Sequence, residues 1–118
     1  MLFQGAQGAD ARLLGETARK AQLLRILRQG FARGAAAYVR DVQAYEQPWA
    51  ACLAEVRAPV QLWHGELDNW APPGMPRNLL AALATSELHV LPGLSHYSCL
   101  LAASAPLCAQ VAASLACR

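Results

Sequence analysis

The chain has 118 residues, enough for one domain at most. Apolar residues make up 55% and charged residues 15%, against about 45–50% and about 25% in ordinary soluble domains, so the chain carries more apolar surface than it can cover by itself. A net charge of +2 excludes an argument for nucleic-acid binding from charge, and the basic residues between Arg12 and Arg40 lack interleaved aromatics, the pattern of a solvated helix face.

Residues 1–15 hold Gly, Ala, Gln and Asp without periodicity and are expected to fray. The start, Met1-Leu2-Phe3-Gln4-Gly5, has neither the charged nor the apolar region of a signal peptide. Cys52, Cys99, Cys108 and Cys117 match no zinc spacing and no small disulfide framework. Free thiols in a cytoplasmic protein are expected.

A helix is predicted over 16–30, where Leu23, Leu24, Ile26 and Leu27 form an apolar stripe and Gly30 supplies a C-terminal cap. A second is predicted over 34–45 with Ala35, Tyr38, Val39 and Val42 facing inward, and Pro48 stops it. The period then changes. Pro59-Val60-Gln61-Leu62-Trp63-His64 reads as a strand left through Gly65. A helix over 76–84 starts on Pro76, which suits a first turn. Glu87–Leu91 reads as the second strand, closed by Pro92-Gly93, and a terminal helix follows from Ser98. Residues 97–117 carry no charge and are long enough to cross a bilayer, but Pro106 and Gln110 interrupt the run. Leu107, Val111 and Leu115 share one face, and Gln110, Ser114 and Arg118 another. A buried terminal helix and no membrane span are expected.

The order is α–α–β–α–β–α, an α/β class, with strands that a helix-length crossover makes parallel. A parallel sheet is covered by helices on both faces, and two strands do not complete one.

Two segments carry chemistry, Gly65-Glu66-Leu67-Asp68-Asn69-Trp70-Ala71-Pro72 and Gly93-Leu94-Ser95-His96. Each follows a predicted strand. Functional groups of open α/β sheets gather at the carboxyl ends of strands, and adjacent strands lie about 4.8 Å apart, so the two turns can bring the Asp68 carboxylate to the His96 imidazole. A carboxylate there fixes the tautomer of the imidazole and stabilises its protonated form. Taken singly, an Asp after a strand is a turn residue that bonds nearby backbone N–H groups, and a His after a glycine is an ordinary loop residue.

Residues 56–101 resemble the α/β-hydrolase segment through the last two strands, in which His-Gly-x-x-Asp-x-x-x-Pro carries the triad acid and Gly-x-Ser-His the general base. Here those positions are His64-Gly65-Glu66-Leu67-Asp68-Asn69-Trp70-Ala71-Pro72 and Gly93-Leu94-Ser95-His96. Residues 16–53 resemble the end of that family's cap. The resemblance implies a cap-like helical segment over 1–53 and the C-terminal part of the hydrolase core over 54–118, incomplete as a free-standing domain. It implies Asp68 as triad acid and His96 as general base, in the family order of nucleophile, acid, base. Trp70 and Tyr97 flank them and either line a substrate pocket or pack in the core, as do Tyr38, Tyr45 and Trp49.

No Gly-x-Ser-x-Gly occurs in the chain. Ser86, Ser95, Ser98, Ser104 and Ser114 lie on no Gly-flanked strand-to-helix turn. The nucleophile is therefore expected outside these residues, in a missing N-terminal half, and the chain alone is expected to be inactive. Met1 would then fall within the cap rather than at a natural start. His64 is expected to brace its loop, Glu66 to be solvated, and His89 to face away from Leu88 and Val90. Neither a metal site nor a cofactor is expected. The leading function is hydrolysis of an ester-like or other small apolar substrate with a partner's nucleophile. The alternatives are a non-catalytic remnant acting through self-association and a binding module built on the same fold.

Overall fold

The two β-rich runs pair side by side. In the computed structural model, which describes residues 5–116, Val60–Gly65 (β1) and Ser86–Leu91 (β2) form a two-stranded parallel sheet. Val60 sits opposite Ser86, and the register runs without slip to Gly65 opposite Leu91. Helices flank the sheet in chain order: α1 (Gly8–Gly15), α2 (Thr17–Gly30), α3 (Ala36–Tyr45) and a 3₁₀ turn at Trp49–Glu55 before β1, α4 (Gly74–Ala82) as the crossover, and α5 (His96–Ala116) after β2. The architecture is mixed α/β, compatible with part of a larger α/β sheet.

The order therefore gains a helix over the expected α–α–β–α–β–α, because residues 8–15 are helical where fraying is expected. Tertiary contact decides this. Ala9 and Asp10 are buried, and α1 packs against both α2 and α5. The remaining N-terminal residues, 1–4, and Cys117 and Arg118 lie outside the described residues. Gly30 closes α2 without left-handed backbone, since Phe31 after it has φ −97°. The reversal is made at Gly34, whose φ of +89° suits glycine. In α4, Pro76 occupies the first turn, where its missing N–H costs no intrahelical bond.

Two expectations about burial are corrected. The face of α3 expected to point inward is exposed, with Tyr38 58% and Val39 48% accessible. The terminal helix starts two residues early, at His96, and is buried only near its beginning, at Cys99 and Ala103. Val111 and Leu115 stand 59% and 66% exposed. Pro106 lies inside this helix and removes one backbone bond to Ala102. By length and composition alone, α5 is able to cross a membrane.

Little of the chain packs over these faces. Among the described residues the buried apolar side chains are few: Ala9, Pro76, Leu83, Cys99 and Ala103. The accessible surface is 8823 Å² for 12.6 kDa, where a compact protein of that mass exposes about 6,200 Å². The radius of gyration, 16.2 Å, likewise exceeds the ~13.5 Å of a compact domain of this length.

Candidate active site

The site forms where β1 and β2 end together. Gly65 closes β1 directly against the turn that follows β2. A Cβ at this position would lie 2.5 Å from the Ser95 carbonyl oxygen and 2.7 Å from that of Leu94, so only glycine permits the approach. The Leu67 N–H then donates to the Leu94 carbonyl at 2.8 Å, and the Glu66 N–H to that of Leu91 at 3.0 Å. Glu66 is exposed, but its carboxylate also accepts the Gly93 N–H at 2.9 Å. It clamps one turn to the other in addition to facing solvent. Gly93 itself has φ +68°.

This clamp carries Asp68 to His96. Asp68 is buried, 8% accessible, and its two oxygens have separate tasks. Oδ1 accepts the N–H groups of Trp70 at 2.8 Å and Ala71 at 3.0 Å, the local turn expected of an Asp after a strand. Oδ2 lies 3.0 Å from His96 Nδ1. Burial on its own raises the Asp68 pKa, but the hydrogen bonds from Ala71, His96 and Trp70 and the charge of His96 together outweigh it and hold the carboxyl below its ordinary value. An ionised Asp68 fixes the proton of neutral His96 on Nδ1 and leaves Nε2 as the basic nitrogen. The His96 side chain is 45% accessible, so the arrangement joins a sheltered carboxylate to an accessible imidazole.

Trp70 and Tyr97 are both brought to the imidazole. Trp70 stacks near His96 with ring centroids 5.8 Å apart and planes 20° apart. Tyr97 meets the imidazole edge-on at 5.3 Å and Trp70 at 5.8 Å. Burial, reinforced by the Asp10 carboxylate, pushes the Tyr97 phenol above its ordinary pKa.

The remaining polar residues have other surroundings. His64 is buried with no hydrogen-bond partner at Nε2. His89 stacks on Trp63, its register partner, with centroids 4.3 Å apart, and lies 3.5 Å from the Glu87 carboxylate. The hydroxyls of Ser86, Ser104 and Ser114 bond backbone carbonyls. That of Ser98 bonds Asp10, and Ser95 is buried with its hydroxyl unpartnered. None of the five is hydrogen-bonded to His96. Among the described residues no group of three His, Cys, Asp or Glu side chains is placed to hold a metal ion.

One residue of the site is not visible in any sequence motif. Asp10, 0% accessible, sits under the start of α5. Its Oδ2 accepts the Tyr97 N–H at 2.9 Å, and its Oδ1 accepts the Ser98 N–H at 2.8 Å and the Ser98 hydroxyl at 2.7 Å. The same N-terminal segment reaches the acid turn, where the Asn69 side-chain amide donates to the Gly5 carbonyl at 2.9 Å. These bonds span more than sixty positions, so no local pattern signals them.

Comparison with known protein families, with characterised proteins and with solved structures finds no match to this chain.

Proposed function

We propose that this chain is the C-terminal portion of an α/β-hydrolase and supplies the acid, Asp68, and the base, His96, of a nucleophile–His–Asp triad. The substrate is an ester or another small apolar molecule, and the nucleophile comes from a segment outside these 118 residues. One observation carries this reading: Asp68 Oδ2 and His96 Nδ1 stand 3.0 Å apart at the carboxyl ends of adjacent parallel strands. In the reaction, Nε2 of His96 takes the proton of the attacking nucleophile. Asp68 stabilises the imidazolium, and the proton then passes to the leaving group. Trp70 and Tyr97 form the apolar wall beside the base. No cofactor takes part. Free thiols at Cys52, Cys99 and Cys108 fit a reducing, cytoplasmic setting.

The test is hydrolysis of short-chain nitrophenyl esters by the chain alone and together with the polypeptide encoded immediately upstream or beside it. We expect turnover only with a partner that carries Gly-x-Ser-x-Gly, and its loss in His96→Ala. Turnover that survives His96→Ala, or none with such a partner, overturns the proposal.

The exposed apolar faces favour a second reading, a non-catalytic remnant that self-associates. Tyr38, Val42, Tyr45 and Trp49 line an open groove, and Val111 and Leu115 stand exposed on α5. Sedimentation decides between them: a stable dimer dispersed by Val111→Lys, with no esterase activity under any pairing, favours the remnant.

A further inference from the structure

We infer that Asp10 is a positioning residue for His96. This rests on the acid–base reading of Asp68 and His96 and extends it to the other end of the chain. A helix leaves its first N–H groups without intrahelical partners, and the residue just before the helix ordinarily supplies a side-chain acceptor for them. Here the residue in that place is Ser95, and its hydroxyl is buried without a partner. Asp10 takes over the task from 87 and 88 positions away, accepting the N–H groups of Tyr97 and Ser98.

Ser98 completes the arrangement. Its hydroxyl accepts the Ser95 N–H at 2.8 Å and donates to Asp10 at 2.7 Å, so the turn before α5 and the turn that begins it are tied to one carboxylate. His96 lies between these bonded residues. Asp10 fixes its backbone, and Asp68 fixes its ring. A carboxylate at this end also complements the positive pole of α5. Asp10 itself is shielded from solvent.

The consequence is specific. Without the Asp10 carboxylate the first turn of α5 loosens, and the imidazole drifts from Asp68 even though Asp68, its turn and both strands are intact. This differs from a general contribution to stability, which would lower the unfolding midpoint and leave the Asp68–His96 hydrogen bond unchanged in the folded molecules.

The experiment reads that bond directly in the full chain. An imidazole Nδ1 proton held by a carboxylate gives a slowly exchanging, far-downfield nuclear magnetic resonance signal. We expect the signal in the unmutated protein and its loss in Asp68→Asn. We expect it to be lost also in Asp10→Asn, which keeps the side-chain shape but replaces one acceptor oxygen with a donor, while the amide signals of β1 and β2 stay in place. A folded Asp10→Asn variant with the Nδ1 signal unchanged overturns the inference. Absence of the signal in the unmutated protein instead overturns the acid–base reading, and the role of Asp10 with it. If Asp10→Asn does not fold, amide exchange in the unmutated chain decides. Slow exchange at Tyr97 and Ser98 supports the cap, and exchange as fast as in an unfolded chain overturns it.

Discussion

Asp68 bonds its own turn with one oxygen and His96 with the other, at 2.8–3.0 Å in each case. The structural role and the proposed chemical role of this residue therefore fall on different oxygens, and they are separable by substitution. Asparagine keeps an oxygen for the N–H groups of Trp70 and Ala71 but turns an amide toward His96. Alanine removes both. We expect Asp68→Ala to lower stability by about 0.5–1.5 kcal/mol relative to Asp68→Asn, the net worth of the part-buried hydrogen bonds from Trp70 and Ala71. Urea denaturation of the two variants checks this. With a nucleophile supplied, both should lower kcat by on the order of 10⁴-fold, as loss of a triad acid does.

The depressed pKa of Asp68 has a definite sign in stability. The native carboxyl holds its proton less tightly than the unfolded one. Its contribution is fully present above the unfolded value of about 3.9 and is lost as pH falls through the lower native value. Thermal unfolding across acidic pH should show Tm falling in that window, with the fall shallower in Asp68→Asn. Equal slopes for the two proteins would show that the carboxylate is not held by its partners.

Gly65→Ala tests whether the two turns must touch. The added methyl meets backbone oxygen at 2.5 and 2.7 Å, and neither atom belongs to a side chain that can swing aside. The expected cost is about 1–3 kcal/mol, together with loss of the Leu67–Leu94 hydrogen bond. The unfolding midpoint and amide exchange at Leu67 measure the two effects. A variant as stable as the parent would mean that the strand ends are farther apart than 2.8 Å hydrogen bonding between them implies.

The cysteines give a probe of the same region. Cys52 and Cys108 are exposed and Cys99 is buried. Burial, with the Asp68 and Asp10 carboxylates nearby, raises the Cys99 thiol pKa. Since the thiolate is the reactive form, labelling with an aromatic disulfide should modify Cys52 and Cys108 first and Cys99 last, and urea should erase the difference. Rapid labelling of Cys99 in the native protein would mean that the start of α5 opens.

Legibility in the sequence followed the range of the signals. The strands expected over 59–64 and 87–91 form within one residue of those bounds, because β-rich runs bounded by Gly and Pro are local patterns, and the helix-length crossover between them dictated parallel pairing. Asp68 and His96 stood out only through the resemblance of their two segments to hydrolase motifs, since each taken singly reads as an ordinary turn or loop residue, and the structure brings the two side chains together at 3.0 Å. Asp10 was not readable. It lies in an aperiodic stretch, and its partners Tyr97 and Ser98 are 87 and 88 residues away, so its helix is stabilised by contact rather than by propensity. The inward face expected of α3 failed for the converse reason. Tyr38, Val39 and Val42 have helical spacing, but periodicity says which side is apolar and not whether anything covers it.

The link between Asp10 and Ser98 also sets when this site can exist during synthesis. At about 5–20 residues per second, the ribosome needs roughly 4–18 s to add the 88 residues that separate them. Through that interval α1 is already made while the carboxylate it carries has no partner. The pair Asp68 and His96 is likewise incomplete until the first turn of α5 has emerged, so the proposed acid–base pair forms only when the later-made α5 meets the earlier-made α1.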